Sequence, residues 1–325
     1  MGKPLVSIAL ALYNGEKYIA EQLKSILAQT YRELEIVVVD DASSDRSLEL
    51  VRSFSDGDSR VRVYKNEKNL GLVHNFLKAV SFCQGEYVGY SDQDDIWRED
   101  KVEILSGVLS KNPKNMLVYS DLELPENDPR SFWKASKIRP KKGYLGAKAI
   151  LRNVAPGCAM MFRRSVADLL AQAYLDDHLR TLNVGSRLDD VVFMHDQLAF
   201  AIGALLGRVD YSREKLVRYR QHDSNTIGAF YRAETSKSHF IEGLRRRSSF
   251  LRHYPLIKNN PDLIRMDYFA DSLEKPEFIK TWQWWPYYLC LRNDTFFDQV
   301  LGWFECLFPY VYKRVKNRLA PSRVS

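Results

Sequence analysis

The feature that most constrains this chain is the alternation of apolar strands with helix-period segments over its first 120 residues. Helices separate the predicted strands, which are residues 5–12, 35–39, 61–64, 86–90 and 116–120. Strands spaced by helices of about 10–15 residues form βαβ units, which build a mainly parallel sheet with helices on its faces. We therefore predict the α/β class, with ligands bound outside the carboxyl ends of the strands.

The composition of this 325-residue chain is that of a globular protein. Hydrophobic residues make up 45% and charged residues 27%, which excludes a wholly disordered chain. The longest stretch without a charged residue covers 4–15. A bilayer-spanning helix needs about 18 apolar residues, so no such helix is predicted. The net charge of +7 is compatible with nucleic acid, an acidic membrane surface or an anionic substrate.

The cysteines and the N-terminus predict a cytoplasmic protein. The four cysteines include no CxxC pair, so we expect neither a zinc cluster nor a disulfide framework, and a reducing compartment is the simplest setting. The apolar run at the N-terminus has no small-residue cleavage site, and we interpret it as the first strand rather than as a signal peptide.

Two acidic clusters follow predicted strands, Asp40-Asp41 and Asp92–Asp95. The carboxyl ends of neighbouring parallel strands share one crevice, so both clusters are expected there. Three carboxylates within four residues repel one another, which favours a bound cation. Oxygen ligands suit Mg²⁺ or Mn²⁺, which bind through one or two carboxylates plus substrate phosphates. The alternative is a solvated turn with helix-capping Asp residues, because a lone DxD is a weak motif.

Several motifs, in one order and spacing, resemble family 2 glycosyltransferases of the GT-A fold. Within residues 4–110 these are VSIALALYNGEKYIAEQLKSILAQTYRELEIVVVDDASSD, NLGLVHNF and YVGYSDQDDIW. Weaker matches follow in GCAMMFRR, MHDQLAF and RYRQHDSNTIG. The SDQDDIW and YRQH segments are most similar to bacterial rhamnosyltransferase-like enzymes of surface-polysaccharide assembly, such as O-antigen assembly.

The resemblance implies an inverting, metal-dependent glycosyltransferase. It would move a sugar, with dTDP-rhamnose as the expected donor, from a nucleotide diphosphate to a glycan or lipid-linked oligosaccharide acceptor. One alternative is a transferase of the same fold with a UDP-hexose or UDP-N-acetylhexosamine donor. Another is a catalytically silent glycan-binding relative. A nucleic-acid partner is not expected, since the chain lacks a recognisable nucleic-acid-binding motif and the predicted crevice at the strand ends is acidic.

The resemblance also implies which residues hold the donor. Leu12, Tyr13 and Asn14, at the end of the first strand, match the segment that holds the base and ribose, together with Asp41. A carboxylate can accept a hydrogen bond from a pyrimidine N3–H, and Asp41 is the residue expected to do so. Asn75 matches the segment near the diphosphate, where His74 stands in place of the family's frequent arginine.

The DxD match assigns the metal site. Asp92 and Asp94 match its two aspartates, with Asp94 as the expected direct ligand and Asp92 nearer the ribose or a metal-bound water. Gln93, between them, is assigned to the donor site. His222, in the branch motif Arg220-Gln221-His222, is added to the metal set, although surface charge alone would also explain this motif.

The predicted general base is Asp196, because the family places an acidic residue at a helix start about a hundred residues after the DxD. An inverting transfer needs a carboxylate to take the proton of the acceptor hydroxyl. The rival is the Asp189-Asp190 pair, and a plain alternative is that Asp196 caps the helix. Gly157, Cys158 and Trp97 are assigned to the acceptor site. Packing is the alternative for Cys158 and Trp97.

The predicted domain organisation is a GT-A catalytic domain at 1–230 and a C-terminal helical extension at 231–325. Residues 1–120 form the nucleotide-sugar half and 121–230 the acceptor half, with a long loop at 122–144. Residues 281–325 combine many Trp, Tyr and Phe residues with a basic end. That combination is typical of a segment on an anionic membrane, which predicts peripheral contact with the cytoplasmic face of the inner membrane. The alternative is a helical layer packed on the catalytic domain.

Overall fold

The computed structural model describes residues 2–125, 130–136, 138–146, 148–151, 153–176, 192–220 and 237–274. The strands are β1 Val6–Leu12, β2 Leu34–Asp40, β3 Val61–Lys65, β4 Tyr87–Ser91, β5 Ile96–Trp97, β6 Asn115–Glu123, β7 Met160–Arg163 and β8 Arg208–Arg218. The longer helices are α1 Ile19–Leu27, α2 Ser47–Gly57, α3 Leu72–Phe82, α4 Lys101–Lys111, α7 Arg164–Leu175, α8 His195–Leu206, α9 Lys237–Leu251 and α10 Pro261–Glu274. The short helices are α5 Phe132–Ala135 and α6 Lys148–Leu151, and a 3-10 turn covers Gly157–Ala159.

The eight strands form one sheet in the order β3-β2-β1-β4-β7-β6-β8-β5. β1 lies between β2 and β4 and is parallel to both, and β3 is parallel to β2. Every residue of β1 and β2 is buried, as expected for parallel strands covered on both faces. β7 is antiparallel to β4 and β6, and β5 is antiparallel to β8. The predicted α/β fold is confirmed. In the second half of the sheet, parallel and antiparallel strand pairs are mixed.

The helices cover the sheet through apolar faces that their sequences encode. In α1, the buried residues Ile19, Leu23 and Ile26 recur at helical spacing. This period places them on one face, which packs into the core of the sheet. The buried positions of α3 and α7 belong to the same core. The helices therefore leave the carboxyl ends of β1, β2 and β4 on one edge, where the acidic clusters lie.

Two predicted boundaries differ from the structure. The helix expected from about Arg98 begins at Lys101, because Ile96 and Trp97 pair with β8 as a short strand. The loop expected at 122–144 contains the end of β6 and the helix α5, whose first turn Ser131 caps by accepting from the N–H of Lys134. The first difference arises from a strand pairing between residues distant in sequence, and the second includes a helix with a local cap.

In the described part of the chain, no helix is long and apolar enough to cross a bilayer. Residues 281–325, where membrane contact is predicted, lie outside the described residues. The described part of the C-terminal extension consists of α9 and α10, which pack against each other. The division into domains at residue 230 stays a prediction.

Candidate active site

The loops after β1 and β4 are joined by the side chain of Gln93. Its Oε1 accepts from the backbone N–H of Tyr13 at 2.8 Å, and its Nε2 donates to the carbonyl oxygen of Tyr13 at 3.1 Å. The carbonyl oxygen of Leu12 accepts from the N–H of Asp41 at 2.8 Å, which adds the end of β2. The structure thus brings together Leu12, Tyr13, Asp41 and Gln93, all of which are predicted donor-site residues.

Asn14 makes a tight turn between the ends of β1 and β2. Its φ of 47° lies in the left-handed region, which Asn tolerates better than most residues. Its N–H donates to Oγ of Ser43 at 3.0 Å, and its Oδ1 accepts from the N–H of Ser44 at 2.9 Å. These contacts fix the loop that follows β2, and Tyr13 beside them is exposed.

Asp41 is almost completely enclosed by hydrogen-bond donors. Its Oδ1 accepts from Leu70 N–H and from Asn66 Nδ2, both at 2.7 Å, and its Oδ2 accepts from Gly71 N–H at 2.9 Å. The same Asn66 amide donates to Oδ1 of Asn75 at 3.0 Å. With only 2% of its surface exposed, Asp41 holds the loop that leads into α3. Contact of Asp41 with a base and of Asn75 with a diphosphate stay predictions.

Asp92, Asp95 and Cys158 form a cluster in which one possible ligand atom of each lies within 4.8 Å of the others. Asp95 is fully buried, and its Oδ2 has no hydrogen-bond partner among the described residues. Asp94, the expected direct ligand, does not belong to this cluster, and Asp95 takes its place. His222 lies outside the described residues.

Burial and mutual repulsion raise the pKa of both clustered carboxyl groups. The pKa of Asp92 lies well above its ordinary value because of burial and the neighbouring Asp95 and Asp94. Burial, followed by the charge of Asp94, raises the pKa of Asp95 to about 7. Burial also raises the pKa of the Cys158 thiol, so this soft donor stays protonated. The two carboxylates fit a hard divalent cation such as Mg²⁺ or Mn²⁺, whereas the thiol does not.

Lys101, at the start of α4, places an amine beside this acidic cluster. Its Nζ donates to the carbonyl oxygen of Cys158 at 2.5 Å and lies 3.1 Å from the ring centroid of Trp97. Burial lowers the pKa of Lys101 to about 7, against the opposing influence of Asp95 and Asp92. The cluster therefore includes an amine of its own, which offsets carboxylate charge whenever it is protonated.

The predicted acceptor residues fall into two groups. Trp97 is 4% exposed and lies in β5, directly after the acidic turn, with Nζ of Lys101 over its ring. Gly157 lies beside the start of α8, where a Cβ would come within 2.7 Å of Nε2 of His195. Cys158 is buried next to Gly157 in the same 3-10 turn and contributes its carbonyl oxygen to Lys101. Acceptor contact by these residues stays a prediction.

Asp196 is the second residue of α8 and Met194 is the N-cap, so Asp196 does not occupy the N-cap position, although its carboxylate accepts from an N–H of the first turn. Its Oδ1 accepts from the N–H of Gln197 at 2.7 Å, and its Oδ2 accepts from Nδ2 of Asn153 at 3.0 Å. Burial raises the pKa of Asp196 to about 6, although both hydrogen bonds oppose the shift. A carboxylate with this pKa is ionised at neutral pH and basic enough to accept a proton. Asp189 and Asp190 lie outside the described residues.

His195 is a buried neighbour of Asp196 that the sequence does not single out. It stacks on Phe76 with ring centroids 3.9 Å apart, and Tyr90 meets it edge-on at 5.0 Å. Neither ring nitrogen has a hydrogen-bond partner among the described residues, and burial lowers the pKa to about 3. The imidazole is therefore neutral and packs on Phe76 and Tyr90 at the start of α8.

Sequence reasoning missed Lys101 and Asn153. A signal for Lys101 exists, because it shares a helical face with the buried Leu105 one turn later. Asn153 has no such signal, since its role depends on a contact with Asp196, 43 residues away.

Residues 7–170, half of the chain, match a family model described as glycosyl transferase family 2. The chain belongs to this family. An uncharacterized glycosyltransferase of Rickettsia typhi is 27% identical over 291 residues, which span 86% of this chain and 83% of the relative. The putative teichuronic acid biosynthesis glycosyltransferase TuaG of Bacillus subtilis is 37% identical over 101 residues, which span 31% of this chain and 40% of the relative. The protein is a glycosyltransferase, as predicted.

Solved structures share the fold of this family 2 glycosyltransferase. S. aureus TarS 1-349 in complex with UDP has a TM-score of 0.54 at 19% identity, covering 85% of this chain and 70% of that chain. The mannosyltransferase PcManGT of Pyrobaculum calidifontis, in complex with GDP-Man and Mn²⁺, has a TM-score of 0.52 at 18% identity, covering 97% and 84%. Identities this low show the fold alone, and the predicted GT-A fold is confirmed.

Proposed function

We propose that this protein is an inverting, metal-dependent glycosyltransferase of bacterial surface-polysaccharide biosynthesis, with Asp196 as its general base. The main observation is the position of Asp196 at the start of α8, where its Cβ lies beside Gly157 and burial raises the pKa of its carboxyl group to about 6. The name of TuaG, a putative teichuronic acid biosynthesis glycosyltransferase, supports the surface-polysaccharide setting.

The chemistry follows from the groups that border the crevice. Asp196 takes the proton of the acceptor hydroxyl. The hydroxyl oxygen attacks the anomeric carbon of the donor sugar, and the nucleoside diphosphate departs. Asn153 and Gln197 hold the carboxylate during this step through hydrogen bonds to its two oxygens. A divalent cation, when bound by Asp92 and Asp95, supplies positive charge that stabilises the departing diphosphate.

A nucleotide-diphosphate sugar is the proposed donor. UDP, UDP-GlcNAc and GDP-Man occur in the solved complexes of TarS and PcManGT, which supports this donor class. Tyr13, Asn14 and Asp41 lie at the strand ends where the nucleoside would bind, and Gln93 joins them to the DxD turn. Within the class, dTDP-rhamnose is the proposed sugar nucleotide, and UDP-hexoses or UDP-N-acetylhexosamines are the alternative.

The proposed acceptor is a glycan, in particular a lipid-linked oligosaccharide. The aromatic and basic composition of residues 281–325 supports contact with an anionic membrane surface, where such an acceptor would be located. A truncated chain ending at residue 280 should keep its fold and lose binding to anionic vesicles. Unchanged vesicle binding by the folded, truncated protein would contradict the membrane proposal.

A donor screen tests the proposed function. The full chain is incubated with dTDP-rhamnose, UDP-glucose, UDP-galactose and UDP-N-acetylhexosamines, each with Mn²⁺ and with EDTA, and nucleoside diphosphate release is measured. We expect release from dTDP-rhamnose that requires Mn²⁺. Release from UDP-sugars alone would overturn the rhamnose assignment, and equal release in EDTA would overturn metal dependence.

A catalytically silent relative is distinguished by two substitutions. Asp92→Asn and Asp196→Asn should each abolish release while thermal unfolding stays near that of the wild type. A scaffold or glycan-binding protein would release no nucleotide from any donor, and its glycan binding would survive both substitutions.

A further inference from the structure

Arg247 of α9 contacts both segments that hold the Asp196 carboxylate. Its Nη1 donates to the carbonyl oxygen of Ile150 at 3.2 Å, three residues before Asn153. Its Nη2 reaches Oε1 of Gln197 at 3.5 Å, the residue directly after Asp196. Asn153 and Gln197 are the residues that donate hydrogen bonds to the two oxygens of Asp196. One guanidinium therefore contacts the side chain of Gln197 and the helix α6, which lies shortly before Asn153 in the chain.

A third contact of Arg247 fixes the chain that enters α8. Its Nε donates to the carbonyl oxygen of Val192 at 3.1 Å, and its guanidinium carbon lies 5.6 Å from the ring centroid of Phe193. Val192 and Phe193 directly precede Met194, the N-cap of the helix that carries Asp196. The position and direction of the first turn of α8 thus depend on Arg247.

The chemistry of the guanidinium suits this bridging role. All three acceptors of Arg247 are neutral oxygens, and burial is the main cause that lowers its pKa from the ordinary value. A planar fork of five N–H donors can serve three acceptors on separate segments, whereas a Lys ammonium acts as a compact point charge. Removing it would leave the buried carbonyl groups of Ile150 and Val192 without this donor.

We propose that Arg247 is a positioning residue for the general base, which holds the Asn153 segment and the start of α8 in register around Asp196. The proposal rests on the proposed function, because it takes Asp196 to be the base. It also gives α9, in the C-terminal extension, a part in the reaction, through contacts distant from the donor site.

The neighbouring arginines provide matched controls. Arg245 bonds to Asp271 of α10 at 2.7 Å, and Arg246 is exposed on the same helix. Arg246→Gln removes the same charge one residue away and leaves the contacts of Arg247 intact. Arg247→Gln removes the fork and the charge, whereas Arg247→Lys keeps the charge and removes the fork.

The kinetic arm measures kcat and donor KM for nucleoside diphosphate release from the donor that the screen identifies. We expect Arg247→Gln and Arg247→Lys to lower kcat about 10- to 100-fold, since small misplacements of a reacting group have effects of this size. Donor KM should change less than about twofold, because Arg247 does not contact the donor-side loops, and Arg246→Gln should match the wild type. A donor KM that rises as much as kcat falls, or full activity in Arg247→Lys, would overturn the proposal.

The second arm does not need activity. Amide hydrogen exchange is measured in peptides that cover Ile150 and in peptides that cover residues 194–200. We expect faster exchange in both regions for Arg247→Lys, and wild-type exchange for Arg246→Gln. Unchanged protection in both regions would overturn the positioning role. If Asp196→Asn keeps full activity while Arg247→Lys shows faster exchange, the base assignment fails and the bridging contacts stand.

Discussion

Asp41 and Asp196 are both acidic residues at the crevice, yet their surroundings differ. Three donors enclose Asp41, two of them backbone N–H groups of the loop before α3. Asp196 accepts from the N–H of Gln197, from Nδ2 of Asn153 and from its own N–H, and burial nevertheless raises its pKa to about 6. The donors of Asp41 belong to the loop that this carboxylate holds in place, whereas the raised pKa of Asp196 suits the proposed proton transfer. The raised pKa is therefore what favours a chemical role for Asp196.

The strongest test of this difference is Asp196→Asn. We expect nucleoside diphosphate release to fall about 10²- to 10⁴-fold, because an amide cannot take the proton of the acceptor hydroxyl. The protein should stay folded in urea with a loss of no more than about 1–3 kcal/mol, since Asn keeps an acceptor for the N–H of Gln197 but sets its NH2 group against Nδ2 of Asn153. Activity of the wild type should rise with pH through about 6, where Asp196 loses its proton. An active Asp196→Asn variant would show that the base is another residue.

Lys101→Met tests the acidic cluster between these two regions. Met fills similar space but leaves the buried carbonyl of Cys158 without its donor. An unsatisfied buried group costs about 1–3 kcal/mol. We expect a loss in this range in urea unfolding at pH 9, where the neutral amine of the wild type still donates.

The loss from Lys101→Met should be smaller at pH 6 than at pH 9. The folded pKa of about 7 lies below the ordinary value of about 10.4, so the wild type gains stability as pH rises above about 7, and the Met variant lacks this gain. Lys111→Met, at the exposed end of the same helix, is the control. Equal losses at both pH values would contradict a charge effect.

Asp41→Asn tests the structural side of the comparison. The amide of Asn can accept at one end only, so the N–H of Leu70 or of Gly71 would face a second donor. An unsatisfied buried group costs about 1–3 kcal/mol, and we expect a loss of unfolding free energy in that range. Asp56→Asn, an exposed change of the same kind on α2, should have no measurable effect. If Asp41→Asn were as stable as the wild type, the enclosure of Asp41 would not be structural.

Asp95→Asn should produce the smallest effect, a change in how stability depends on pH. The folded pKa of about 7 lies above the ordinary value near 3.9, so the folded protein binds the extra proton between these pH values. The contribution of Asp95 therefore lowers stability as pH rises from about 4 to 7. Asp95→Asn removes that decline, and urea unfolding at pH 5 and pH 7 without divalent cations measures it. If the unfolding free energies of the two proteins changed equally between pH 5 and pH 7, the raised pKa of Asp95 would be contradicted.

The arrangement of the residues predicted to bind the donor could largely be predicted from sequence, because these residues lie at strand ends. The buried runs of β1 and β2 lead directly into Tyr13 and Asp41, and the parallel pairing of these strands brings the residues together. Gln93 was assigned to the same site, and the structure adds its two hydrogen bonds to Tyr13.

The acidic cluster was less predictable because its contacts join distant parts of the chain. This candidate metal site contains Asp95, where Asp94 was expected, and Asp95 lies near Cys158 across 63 positions of sequence. Lys101 contacts the carbonyl of Cys158 across 57 positions. Neither spacing is a pattern that one sequence reveals, since strand register and helix packing determine it.

The Gln93 amide has a consequence for redesign of the donor pocket. It pairs with both the N–H and the carbonyl oxygen of Tyr13, as a neighbouring strand would. Glu at this position would set a carboxylate against the carbonyl, and Leu would leave both backbone groups unpaired. Inserting a residue into either loop would separate Gln93 from Tyr13 and so detach the turn after β1 from the acidic turn after β4. If the proposed donor site is correct, its specificity is therefore better altered by exchanging side chains in these loops than by changing their lengths.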